Sequence, residues 1–149
     1  MRARGGYVIS LAPVLFRFAP IRMKILAQQL SGDWAERSSG PTLVAAFANT
    51  PTYGGGIRIA PKARLDDGQL DACVITEADD FKRFCLFPTV YFGRHLRVPE
   101  VNYFQSGRVR IESETPLDVY ADGEYVCCTP AQIDVRRSAL PVITRTTKA

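Results

Sequence analysis

Apolar and polar positions divide this chain into short runs that favour strands over helices. Residues 43–47 and 70–75 are almost continuously apolar, short for helices and suited to strands covered on both faces. Between them lies a glycine- and acid-rich connection, residues 49–71, around which the chain is organised. Long loops held on a scaffold usually carry function. Upstream, residues 23–30 alternate loosely and predict a half-buried strand ending at Ser31-Gly32-Asp33. A polar turn over 36–41 and a strand over 42–49 follow. Downstream, the pattern predicts a strand over 70–76, then a helix capped by Asp79 or Asp80 that carries Phe81, Phe84, Cys85, Val90, Tyr91 and Phe92. Pro88 is expected to kink or split it. Its aromatic and basic composition suits either a membrane surface or packing on a sheet. Beyond Pro99, strands are predicted over 108–114, 117–120, 133–135 and 141–144, punctuated by Gly107, Pro116, Gly123, Pro130 and Pro141. The sum is a mainly β domain with one or two helices, most simply a β-sandwich.

The N-terminal apolar run, residues 7–16, imitates a signal peptide because Arg2 and Arg4 precede it. Ser10 and Pro13 interrupt it, Arg17 closes it, and no clean cleavage site follows. It falls short of the roughly 20 apolar residues that span a bilayer. A buried or surface-seated helix bent at Pro13 fits better.

At 149 residues the chain is one domain or a fragment of a larger protein. At that size a domain buries roughly 70% of the surface its unfolded form exposes. Hydrophobic residues at 46% and charged residues at 23% place it among soluble globular chains. The net charge of +4 is uneven: residues 1–37 hold six basic side chains against Asp33 and Glu36, and residues 38–149 balance thirteen against thirteen. The N-terminal excess suits a solvated face or an anionic membrane surface. No nucleic-acid partner is expected. Cys73, Cys85, Cys127 and Cys128 form neither a metal-binding pair nor a disulfide framework, so they read as reduced thiols of a cytoplasmic, and at most membrane-peripheral, protein. The single histidine, His95, reads as a partly exposed loop residue after a turn at Gly93.

Three clusters carry candidate chemistry. Gly54-Gly55-Gly56 fails as a phosphate loop, because no Lys-Ser or Lys-Thr follows and no helix begins there. The glycines instead allow positive φ or close approach of a chain or ligand, and a bare turn explains them equally well. Asp66-Asp67-Gly68 with Asp71 suggests a cation held by hard oxygens. An EF-hand register would put Val74 where the bidentate glutamate belongs, whereas magnesium is served by one carboxylate with loop carbonyls and water. A plain turn explains the same residues. Asp122-Gly123-Glu124 lies between two β-like segments and reads as a tight hairpin turn, or as a turn that places a glutamate as a base toward an alcohol.

Taken together, Asn49, Tyr53-Gly54-Gly55-Gly56, Ile59-Ala60-Pro61-Lys62-Ala63, Leu65-Asp66-Asp67-Gly68, Leu70-Asp71 and Asp122-Gly123-Glu124 resemble the C-terminal half of the bacterial diacylglycerol kinase-type lipid kinases. Sphingosine kinases are similar relatives. Phe92-Gly93-Arg94-His95-Leu96 and Val109-Arg110-Ile111-Glu112-Ser113 share the likeness, which extends over nearly the whole chain from about Gly6. The order and spacing of several motifs make it specific. The resemblance implies a β-sandwich forming one wall of an interdomain cleft, with ATP bound mainly by a preceding α/β domain. It also implies magnesium-dependent transfer of the γ-phosphoryl group of ATP to a lipid hydroxyl. By position, Glu124 matches the general base, Asp67 a magnesium carboxylate, and Arg64 and Gln69 positions whose backbone carbonyls help hold the ion. Asn49, Gly54, Gly55, Gly56 and Asp122 match the substrate side of the cleft.

The family's Gly-Gly-Asp-Gly-Thr nucleotide motif is absent from this sequence. Residues 1–20 are expected to be a linking helix and basic segment, residues 21–149 the sandwich, and the nucleotide-binding domain to be missing. The chain then reads as a fragment, a mis-started reading frame or one half of a split enzyme, inactive alone. A non-catalytic module binding lipid or a partner chain is the alternative. An NAD-kinase-like role fits the motifs less well.

Overall fold

The computed structural model describes residues 19–140; the expected N-terminal helix and the strand over 141–144 lie outside them. Eight strands and one α-helix follow in chain order: β1 Ile21–Gln28, β2 Trp34–Ala48, β3 Leu70–Thr76, α1 Asp80–Tyr91, β4 Val101–Ser106, β5 Arg108–Ser113, β6 Asp118–Ala121, β7 Glu124–Cys128 and β8 Ala131–Asp134. Six form one sheet in the order β4-β3-β2-β1-β5-β8, each neighbour antiparallel, and β6-β7 form a separate hairpin. The mainly β expectation holds.

Strand β3 explains why its run is unbroken: Asp71, Ala72, Cys73, Val74 and Ile75 are all buried, so both faces demand apolar residues. Alternate positions feed two cores. Cys73 and Ile75, with Val44, Ala46 and Ala48 of β2, pack under Leu86 of the helix and under Ile57, Ile59, Ala60 and Ala63 of the long connection. Val74, with Ala45 and Phe47, packs on the other face with Ile25, Val109 and Ile111.

The expected turn over 36–41 is not there. Strand β2 runs through it, paired with β1 from Trp34 onward, and joined by β3 only from Thr42. Its first half has one neighbour, so polar residues, Gly40 and Pro41 are tolerated where a central strand would show a hydrophobic pattern. The actual turn spans 29–33, closed by Gln29 N–H to the Asp33 carbonyl at 2.8 Å, with Gly32 at φ 93°.

Asp79 caps α1 by accepting from Lys82 N–H at 2.8 Å. Pro88 lies inside the helix and does not split it. Leu86 is buried, with Val90 and Tyr91 packed against the same core, so the helix does lie on the sheet. Among the described residues no helix is long and apolar enough to cross a membrane.

Candidate active-site loop and hairpin

The β2–β3 connection leaves the sheet at Asn49 and returns at Leu70, its two strands paired Ala48 with Asp71. Four buried side chains, Ile57, Ile59, Ala60 and Ala63, pin its middle to the core. Its tip is a short turn closed by Gly56 N–H to the Tyr53 carbonyl at 3.0 Å and by Tyr53 N–H to the Ile57 carbonyl at 2.7 Å. Gly55 and Gly56 adopt φ of 73° and 84°, and the space beside the Cα of Gly54 and of Gly56 is open. The positive-φ expectation therefore holds at Gly55 and Gly56, within a short turn whose backbone is uncovered at Gly54 and Gly56.

His95 corrects its expectation. It is fully buried, and its Nε2–H donates to the Ile59 carbonyl at 3.0 Å, tying the connection to the turn after α1. Burial pushes its pKa down, with the backbone contacts at Ile59 and Thr89 opposing. Gly93, at φ 69°, allows this turn, with Arg58 and Pro61 packed so close that a side chain there would meet them at 3.1–3.2 Å.

The acidic end of the connection divides its carboxylates among three tasks. Asp66 pairs with Arg64 at 3.3 Å, and that exposed contact holds the Asp66 carboxyl below its usual range. Asp67 Oδ1 accepts from Gln69 N–H at 2.9 Å, which fixes the carboxylate and leaves its second oxygen without a partner among the described residues. Asp71 turns inward, fully buried, accepting from Tyr103 Oη at 2.6 Å and from Gln105 Nε2 at 3.2 Å. Burial, then the Asp71 contact, push the Tyr103 hydroxyl up, so it remains a donor. Asp71 thus serves the fold and leaves the loop's cation-binding set. Among the described residues no three His, Cys, Asp or Glu side chains converge as a metal cluster. What remains is one positioned carboxylate, Asp67, in a turn whose chain also supplies the carbonyls of Arg64 and Gln69. A carboxylate with chain carbonyls is the hard-oxygen chemistry that magnesium takes.

Arg137 is a member that pattern reading missed. Its Nη2 donates to the Asp67 carbonyl at 3.3 Å, and its side chain covers Gly68, at φ 69°, so that a Cβ there would lie 2.1 Å from Nε. An arginine 70 residues away leaves no local signal.

Glu124 opens β7 directly after a two-residue turn in which Asp122 and Gly123 have φ of 51° and 88°, the signature of a type I′ hairpin. The expected Asp-Gly turn is therefore present. Both Asp122 and Glu124 are exposed, and no hydrogen bond or ion pair links them to the β2–β3 connection among the described residues. The base of the hairpin is held by Leu117 N–H and Thr129 Oγ1 at 2.9 Å, by Thr129 N–H and the Leu117 carbonyl at 2.9 Å, and by Ser113 Oγ against Thr129 Oγ1. Ser113 ends β5, so the turn carrying Glu124 is anchored to the main sheet.

The four cysteines are free, as expected. Burial pushes the Cys73 thiol up to about 12, which removes it from chemistry at neutral pH.

Residues 2–144 match the model of the YegS C-terminal NAD kinase beta sandwich-like domain. The diacylglycerol kinase of Mycobacterium tuberculosis (strain CDC 1551 / Oshkosh) is 33% identical over 140 residues, 94% of this chain and 43% of that protein. The diacylglycerol kinase of Staphylococcus haemolyticus (strain JCSC1435) is 27% identical over 92 residues, 62% of this chain and 28% of its own. A solved diacylglycerol kinase structure from Bacillus anthracis str. Sterne superposes with a TM-score of 0.61 at 21% identity, covering 86% of this chain and 44% of that one, and supports the fold. The chain thus spans less than half the length of these relatives. The resemblance read from the sequence is borne out: the chain belongs to the family of YegS C-terminal NAD kinase beta sandwich-like domains.

Proposed function

We propose that this chain is the substrate-side domain of an ATP-dependent lipid kinase that transfers the γ-phosphoryl group of ATP to the hydroxyl of a diacylglycerol-like lipid. The observation that carries the reading is the family match over residues 2–144; it is supported by an Asp67 carboxylate held in its turn and by a Glu124 that follows a tight two-residue turn at the head of β7. ATP is held mainly by a separate nucleotide-binding domain.

In the proposed reaction Glu124 takes the proton from the lipid hydroxyl. That oxygen attacks the γ-phosphorus, the bond to the β-phosphate oxygen breaks, and ADP leaves with its electron pair. Asp67 and the carbonyls of Arg64 and Gln69 would hold magnesium, which supplies charge neutralisation when bound. By the resemblance, Asn49, Asp122 and the backbone at Gly54, Gly55 and Gly56 would line the acceptor side. Phosphoryl transfer is mostly positioning and electrostatics, so a loop pinned by four buried side chains and His95 suits the task.

The test is a fusion of this chain to the N-terminal part of the Mycobacterium tuberculosis relative, assayed for transfer of labelled phosphate from ATP to a panel of lipid alcohols. Transfer to a diacylglycerol by the fusion, with none by this chain alone, is the expected result. A folded fusion that binds ATP and phosphorylates no lipid would sink the proposal.

A further inference from the structure

Helix α1 carries apolar side chains on two sides. Its inner side is apolar, yet its solvent side also carries Phe81, Phe84, Cys85, Pro88 and, at the cap, Phe92. At 3.6 residues per turn these positions fall within an arc of about 100°. The three phenylalanines are 76%, 66% and 64% exposed, whereas a surface helix ordinarily places charge there.

Charge is distributed unevenly around this stripe. At the N-terminal end, Glu77, Asp79 and Asp80 are exposed, Lys82 is bound to Glu100 at 2.7 Å, and Arg83 bonds the Ala78 carbonyl. At the C-terminal end the exposed side chains are basic: Arg94 and Arg97 follow Phe92, and Arg58 from the β2–β3 connection packs against Gly93 beside them. None of these three guanidinium groups has an acidic partner among the described residues.

We propose that this face docks on an anionic lipid bilayer, with Phe92 and Phe84 seated at the headgroup boundary and Arg58, Arg94 and Arg97 on lipid phosphates. Exposed aromatics flanked by unpaired cations are complementary to such a surface, where each cation strengthens binding about fivefold. The acidic N-terminal end tilts away, so the contact is made through the end nearest the connection that carries Gly54 and Asp67. The inference rests on the lipid-kinase reading for its purpose, because docking there brings the connection to a bilayer-embedded acceptor.

The experiment is co-sedimentation of the full chain with phosphatidylcholine vesicles with and without phosphatidylglycerol, comparing the parent, F84S/F92S, R58E/R94E, and L30S as an apolar control in the β1–β2 turn. Native folding of each is checked by circular dichroism. Binding to the anionic vesicles, reduced about tenfold or more in R58E/R94E, reduced several-fold in F84S/F92S and unchanged in L30S, is the predicted pattern. No binding by the parent, binding indifferent to both double variants, or a parent dimer that F84S/F92S converts to monomer would overturn the proposal. Phosphorylation of a short-chain, water-soluble diacylglycerol by the fusion does not need docking, so loss of that activity would condemn the kinase reading and loss of vesicle binding only this one.

Discussion

Replacing Tyr103 by Phe removes one hydroxyl from the inner end of the candidate site and tests whether Asp71 belongs to the fold or to the chemistry. Asp71 is fully buried and has no ion pair among the described residues, so its charge is balanced by the 2.6 Å bond from Tyr103 and the longer bonds from Gln105. A hydrogen bond to a charged group contributes about 1.5–3 kcal/mol, and water cannot replace it at a buried carboxylate. Phe retains the ring, and with it the Lys62 ammonium 5.9 Å from the ring centroid. The loss should therefore be close to the hydroxyl's own worth, about 2 kcal/mol, or a fall of roughly 4–8 °C in Tm for a chain of this size. Urea unfolding followed through Trp34, the single tryptophan, should show a lower midpoint at unchanged slope. Asp71→Asn and the double variant complete a cycle whose coupling should be about 1 kcal/mol or more, because the two side chains touch. Magnesium should leave that coupling unchanged. A Tyr103→Phe effect within about 0.5 kcal/mol, or a coupling that magnesium alters, would refute this account of Asp71.

Three further outcomes follow from the connection. His95 is buried with a pKa pushed below its ordinary value, so the unfolded chain binds the proton more readily and stability must fall as pH drops through about 6.5. His95→Gln should flatten the part of the pH 7 to 5.5 loss that belongs to this group, measured by urea midpoints across that window. Gly68→Ala should cost about 1–2 kcal/mol for its positive φ, plus the displacement of Arg137. In an Arg137→Ala background the second part should vanish, and an equal cost in both backgrounds would show that Arg137 does not cover the turn. Magnesium at a hundred times its dissociation constant should stabilise the parent by about 2.7 kcal/mol and leave Asp67→Ala unmoved. Equal melting shifts, or none in either protein, would remove Asp67 from the metal assignment.

What pattern reading recovered were features with local causes. Strand β3 is apolar throughout because both its faces are buried, Asp79 caps by reaching a nearby backbone N–H, and Asp122-Gly123 turns because both positions accept positive φ. What it missed depends on distant partners. The first half of β2 looks like a turn because one neighbour and solvent leave it no alternation. Strand β4 is read only as part of a β-rich region after Pro99, although Val101, Tyr103 and Phe104 favour a strand, because the adjacent apolar pair Tyr103-Phe104 breaks the alternation. His95 looks exposed after a glycine because its acceptor, Ile59, is 36 residues away. The same holds for Asp71, grouped with Asp66 and Asp67 by proximity in sequence and separated from them by the pleat that turns it toward Tyr103. Both resemblance-derived groups are placed by local geometry, Asp67 by its own turn and Glu124 by a two-residue hairpin.

The most direct measurement is single-turnover phosphoryl transfer by the fusion protein carrying Glu124 or Glu124→Gln. Glutamine keeps the shape of the side chain but cannot accept the proton, so the rate of transfer to a diacylglycerol should fall about 100-fold or more while ATP binding and the magnesium-dependent melting shift are retained. Transfer at the parent rate by Glu124→Gln would contradict the central claim that this hairpin presents the base.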